Sequence, residues 1–149
     1  MITQLKGKLV EVHPTHAVID CNGIGYWVNI SINTFSNLVL DELITLYTQL
    51  IVRDDAHLLY GFASKNERDI FLKLISVNGI GPASAIVMLS TLSAQEIAMA
   101  IQSENAALLQ SVKGIGAKTA QRIIIDLKDK MGEFYAEDVN SLPVKNKSR

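Results

Sequence analysis

The sequence predicts an α+β protein: an N-terminal OB-fold β-barrel followed by an all-α domain with tandem helix-hairpin-helix motifs. Three observations lead to that class. The first 62 residues hold five short β-rich runs separated by turn residues, with no long helical period. After Ala63-Ser64 the apolar spacing changes to three and four residues, the helical period. Within that helical half one pattern occurs twice. Val77-Asn78-Gly79-Ile80-Gly81-Pro82-Ala83-Ser84-Ala85 returns as Val112-Lys113-Gly114-Ile115-Gly116-Ala117-Lys118-Thr119-Ala120, at an offset of 35 residues from Gly79 to Gly114.

Taken in order, Leu5 to Val12 alternates apolar and polar residues, and His16 to Cys21 follows a turn at Pro14. Asn22-Gly23 is a strong hairpin signal, after which Gly25 to Ile30 is β-rich. Asn33 to Leu38 predicts a short helical turn. Ile44 to Val52 and His57 to Phe62 are two further strands around Arg53-Asp54-Asp55. Five short strands of this kind suggest a small Greek-key barrel of the OB type over residues 1–62.

The helical domain is expected over 64–132. Ser64 with Glu67 three residues on predicts a capping box, hydroxyl and carboxylate each satisfying a free backbone donor. Ile70, Phe71, Leu74 and Ile75 form one apolar face. Ser93 with Glu96 predicts a second box, opening a helix through Ile101, and a short helix runs from about Glu104 to Gln110. The last helix shows Ala120, Ile123, Ile124 and Leu127 at helical spacing and is expected to stop at Gly132, with Asp126 and Lys130 paired across one turn. From Glu133 to Arg149 the composition is that of a flexible linker or tail.

The doubled motif carries the functional expectation. Two glycines around one apolar residue permit a tight turn and leave backbone N–H groups bare. The helix that follows adds its unsatisfied amides and the positive end of its dipole. A phosphate fits such a place. A single G-I-G can also be no more than a corner between packed helices. Two copies with the same flanking Val and Ala, and with Lys118 and Arg122 beside the second, favour a sequence-independent hold on a nucleic-acid backbone. The candidate phosphate contacts are Asn78, Gly79, Gly81, Ser84, Lys113, Gly114, Gly116, Lys118, Thr119 and Arg122. The two post-hairpin helices differ: Ile86 and Val87 stand where the second copy has Gln121 and Arg122. An apolar helix face of that kind is expected either inside the pair of motifs or at a contact between subunits.

Composition narrows the class. At 48% hydrophobic and 19% charged residues the chain is a globular protein rather than a disordered one. The lone Cys21 excludes an intrachain disulfide, no secretory pattern opens the sequence, and a cytoplasmic protein is expected. Net charge is −1. In residues 1–62, Lys6, Lys8 and Arg53 face six acids, leaving −3, while residues 63–135 carry eight basic and seven acidic groups. DNA binding would therefore depend on locally placed charge and on backbone amides.

Both halves together resemble the RuvA family, the Holliday-junction-binding subunits of the bacterial branch-migration complex. The matching residues run from Met1 to about Lys130. They include Met1-Ile2, Leu5-Lys6-Gly7, Gly25-Tyr26, both hairpins, Leu127-Lys128-Asp129-Lys130, and above all the string Ile51-Val52-Arg53-Asp54-Asp55-Ala56-His57-Leu58-Leu59-Tyr60-Gly61-Phe62. The resemblance implies a homotetramer, or an octamer of two such rings, that presents a four-armed junction on one face during recombination and repair. It implies that the hairpins hold duplex arms and that Asp54 and Asp55 form an acidic pin at the junction centre. It also implies a RuvB-type motor and a RuvC-type resolvase as partners. Two departures weaken the electrostatic hold: Ala83 and Ala117 stand where the family commonly has lysines. The family's third, motor-recruiting domain is not expected within 149 residues.

Other readings compete. A helix-hairpin-helix glycosylase needs a catalytic Asp beyond the hairpin, but Asp126 and Asp129 lie in a lysine-laced helix. A nuclease needs converging carboxylates for metal ions, and Asp54 and Asp55 have no third ligand in view. His13 and His16 have a spacing that suits a metal, yet Pro14 between them favours a polar turn. With no P-loop, ATP hydrolysis belongs to a partner. Catalytic residues, metal and cofactor are therefore all expected to be absent. A barrel that stacks single strands on Tyr26, Trp27, Tyr47 or Tyr60 is the remaining alternative.

Overall fold

The computed structural model describes residues 1–131. The expected linker over 133–149 and the helix stop at Gly132 lie outside those residues. The chain divides into two compact units, one from Met1 to Arg68 and one from Asp69 onward.

In the first unit, strands β1 (Gln4–Val12), β2 (His16–Cys21), β3 (Ile24–Asn29), β4 (Leu43–Val52) and β5 (His57–Phe62) close a barrel in the order β1-β2-β3-β5-β4. All pairs are antiparallel except β3 with β5, which meet in parallel at Asn29 and Tyr60. The five expected strands are all present, and the fold is the OB barrel. Alternation sets what faces inward: Leu5, Leu9, Ala17, Ile19, Val28, Ile30, Leu46 and Leu59 fill the interior. Asn22 and Gly23 both take positive φ at the β2–β3 turn, as a tight hairpin requires. Gly7 and Gly61 are close-approach positions. A Cβ on Gly7 would lie 2.3 Å from the Asp20 carbonyl oxygen, and one on Gly61 2.5 Å from Val28 Cγ1.

The expected helical turn is a single turn, α1 (Ile32–Phe35), capped by Ser31, whose Oγ accepts from the Thr34 amide. Helix α2 (Lys65–Ile75) opens at Ser64, and the Glu67 amide donates to Ser64 Oγ at 3.1 Å. Here the expected capping box is corrected. The Glu67 carboxylate turns to the buried hydroxyls of Ser31 and Thr34, which donate to its two oxygens at 2.5 and 2.6 Å. Burial pushes the Glu67 carboxyl above the usual carboxylate range, against the opposing pull of those two hydroxyls. Arg68 donates to the Thr3 carbonyl at 2.7 Å, and its guanidinium lies over the Tyr47 ring.

The described residues of the second unit form helices and no strand. Helices α3 (Pro82–Thr91), α4 (Ala94–Gln102), α5 (Ala106–Gln110) and α6 (Ala117–Leu127) follow the end of α2. Ser93 and Glu96 form a complete capping box at the start of α4. Met88, Leu89, Ile97, Ile101, Leu109, Ile123 and Leu127 are buried. After Leu127 the helix tightens into a 3-10 turn over Lys128–Lys130. That change removes the α spacing between Asp126 and Lys130, and the expected pair does not form. Among the described residues Lys128 instead pairs with Glu104, which raises the lysine's pKa.

Candidate nucleic-acid interface

The two hairpins share one backbone geometry. Gly79 and Gly114 take φ of 95° and 91°, the left-handed region that favours glycine. The Ile80 amide donates to the Val77 carbonyl at 3.0 Å, and the Ile115 amide to the Val112 carbonyl at 3.1 Å. Val77, Ile80, Val112 and Ile115 are buried, so each turn is pinned from beneath by the same two apolar side chains. Ala85 and Ala120 are also fully buried, and each amide donates back to the N-cap glycine carbonyl at 3.0 Å.

Gly81 and Gly116 are the N-cap residues of α3 and α6, with φ of −92° and −91°. Any residue adopts that backbone, and an added Cβ would meet nothing within 4 Å at either position. The fold therefore does not require glycine there. What glycine provides is a bare surface over the free amides of each first turn, and no side chain caps them; α6 offers them from Ala117 on, whereas α3 opens with Pro82, which has no N–H, so its first donor is the Ala83 amide. The local chemistry suits an approaching anion at both turns.

Of the six polar candidates, Asn78, Lys118 and Arg122 line one depression, and Ser84, Lys113 and Thr119 do not line it. Asn78, Ser84, Lys113, Lys118 and Arg122 are exposed, and Thr119 is half-buried. Asn78 of the first hairpin joins Lys118 and Arg122 of α6 around one open depression of about 490 Å³, completed by Gln121, Ile125 and Asp126. The depression brings residues of both motif copies together. Sequence reasoning missed Gln121 and Ile125. Lys118, Gln121, Arg122 and Ile125 follow helical spacing, so the α6 period carried the information. Asp126 puts one negative charge among two positive ones. Ala83 and Ala117 are exposed, so basic residues in their place would have reached solvent.

Of the alternatives for Ile86 and Val87, a place inside the pair of motifs is corrected for Val87. Ile86 is half-buried, but Val87 is 41% exposed.

Asp54 and Asp55 belong to the first unit, in the loop joining β4 to β5. The Arg53 amide donates to the Ala56 carbonyl at 2.8 Å, closing a four-residue turn with both carboxylates exposed at its tip. Neither takes part in an ion pair among the described residues. Among the described residues no group of three or more His, Cys, Asp or Glu side chains is placed to share a metal ion. His13 Nε2 lies 3.5 Å from Glu11, and the His13 and His16 rings are tilted by 31° with centroids 4.5 Å apart.

Comparison with known proteins agrees with both halves. Residues 1–61 match the RuvA N terminal domain, and residues 71–129 match the SAM-like helix-hairpin-helix tandem. A protein of Christiangramia forsetii named Holliday junction branch migration complex subunit RuvA is 56% identical over 138 residues, covering 93% of this chain and 72% of the relative. The protein of that name in Flavobacterium psychrophilum is 50% identical over 149 residues, covering 100% of this chain and 77% of its own length. One from Cupriavidus pinatubonensis, also so named, is 45% identical over 97% of this chain and 75% of its own. On this identity, with a closed barrel and a doubled hairpin in place, the chain belongs to the RuvA family.

Proposed function

We propose that this chain binds four-way DNA junctions and holds them open for branch migration. The observation that carries the proposal is the doubled hairpin, with the same positive-φ glycine, the same buried Val and Ile, and the same uncapped, glycine-bared helix start in each copy. Relatives that share both halves carry the name Holliday junction branch migration complex subunit, which supports the junction as the ligand.

In this reading each helix start offers its amides to a backbone phosphate, and Lys118 and Arg122 add point charges beside the second. Such contacts fix position without reading bases, which suits a protein that must act on any sequence. A tetramer would present these grips to four arms at once. Asp54 and Asp55 would then stand as a pin of negative charge at the centre, where repulsion from phosphates keeps the strands from folding together. Strand movement itself is the work of a separate RuvB-type ATPase, and this chain contributes binding rather than chemistry. Residues 1–62 carry the pin and residues 64–132 the grips.

The test is a gel shift without metal, comparing a fully paired four-way junction, a linear duplex of the same arm length and the corresponding single strand. Preference for the junction of at least about tenfold, a difference of 1.4 kcal/mol, without cleavage, is the expected result. Equal affinity for junction and duplex would reject the junction as ligand, and strand cleavage would point to a repair enzyme.

A further inference from the structure

We propose that the outer face of β2 and β3 carries a stacking site for an unpaired DNA base, built on Trp27 and backed by His16. Trp27, the chain's only tryptophan, is 58% exposed. On β3 its neighbour Val28 points into the barrel, so Gly25, Trp27 and Asn29 face out; on β2, Ala17 and Ile19 point in, so His16 and Val18 face out. Val18 pairs with Trp27 and His16 with Asn29, which sets the His16 ring diagonally beside the indole.

The two rings lie flat on each other, centroids 3.8 Å apart and planes within 6°. His13, from the β1–β2 loop, lies near His16 with ring centroids 4.5 Å apart but planes tilted by 31°, so it flanks the pair without extending the stack. Each histidine is held: Thr15 Oγ1 and His16 Nδ1 are 3.0 Å apart, and Glu11 lies 3.5 Å from His13 Nε2. The result is a stacked imidazole–indole pair whose histidine is tied down, with no further ring against Trp27 among the described residues. Gly25, two residues earlier on the same face, has no side chain of its own, and Val18 Cγ1 lies in ordinary contact beside it, 3.5 Å from where a Cβ would be.

An exposed indole backed by a stacked imidazole suits the flat face of a base, and any base serves because all have a π-face. The location agrees. In OB barrels the face of strands 2 and 3 with the β1–β2 loop is where oligonucleotides lie. A duplex hides its base faces, so the site selects unpaired nucleotides. It uses neither the hairpins nor Asp54 and Asp55, and so stands apart from junction binding.

The chain's single tryptophan makes the test direct. Titrating the full chain with a short oligo-dT strand should quench Trp27 fluorescence saturably. Trp27→Ala should weaken oligo-dT binding at least about fivefold, with Trp27→Phe retaining most of it and duplex affinity unchanged. Far-UV circular dichroism and melting of both variants confirm that the barrel is intact. Saturating oligo-dT without quenching, or equal oligo-dT affinity in Trp27→Ala, would overturn the site. So would equal losses on oligo-dT and duplex. Light scattering that shows a changed mass for Trp27→Ala with unaltered DNA affinity would assign the face to a second copy of the chain instead. Junction preference, measured separately, can fail or hold without altering these outcomes.

Discussion

Two kinds of glycine meet in each hairpin, and they separate folding from binding. Gly79 and Gly114 are needed by the backbone, since φ near +90° strains any residue with a Cβ, a β-branched one most of all. Gly114→Val should cost about 1–3 kcal/mol of stability, read by urea denaturation, and should also cripple DNA binding. Gly116 is different, because its backbone suits any residue and space around it is open. Gly116→Ala should leave stability within about 1 kcal/mol yet weaken binding, because its methyl sits over the helix amides. Unchanged binding in a folded Gly116→Ala would argue that no phosphate comes that close. At Glu67 the expectation concerns pH. Its folded carboxyl holds a proton longer than the unfolded one, so the folded state binds more protons and stability falls as pH rises through and above the ordinary carboxylate range. Glu67→Gln removes that titration. The stability difference, variant minus wild type, should grow as pH is raised from about 4 towards neutrality, and a difference independent of pH would contradict the buried-carboxyl reading. Glu67→Ala should be worse than Glu67→Gln at every pH, because it strands two buried hydroxyls at about 1–3 kcal/mol each.

Elements built from local rules were legible in the sequence, and those built from distant partners were not. The five strands follow from alternation and turn residues, and the hairpins from a nine-residue motif, because each signal lies within one turn or strand. The Ser64–Glu67 box failed in its second half for a distant reason. The competing partners, Ser31 and Thr34, stand 36 and 33 residues away in sequence. Asp126–Lys130 failed because the helix changes type at Lys128. The His16–Trp27 stack depends on the β2–β3 register, which no local pattern displays. The pin loop is the element whose function rests most on family resemblance. Asp54→Asn with Asp55→Asn keeps size and turn propensity, so the barrel should stay folded. At ~8 Å each charge pair removed relieves on the order of 0.5 kcal/mol in water. The double variant should bind junctions at least as tightly as wild type and lose part of the preference over duplex, read by competition gel shift. Equal tightening on both DNAs would mean that the acids oppose DNA without marking a junction centre.

At the scale of the molecule, a chain of net charge −1 cannot attract DNA by its overall field. Affinity has to come from few, well-placed contacts, and a single copy has few. Assembly multiplies them, since arms of one junction held by linked copies bind as one ligand. Val87, 41% exposed on an apolar stretch of α3, is a residue such assembly could cover. The most direct measurement is sedimentation velocity of the chain with a labelled four-way junction in EDTA, beside a linear duplex of equal base pairs. The expected result is one discrete complex holding four chains, or eight, per junction, with no matching species on the duplex. A single chain per junction, or the same ladder of complexes on junction and duplex, would contradict recognition of a four-way junction by a symmetric assembly.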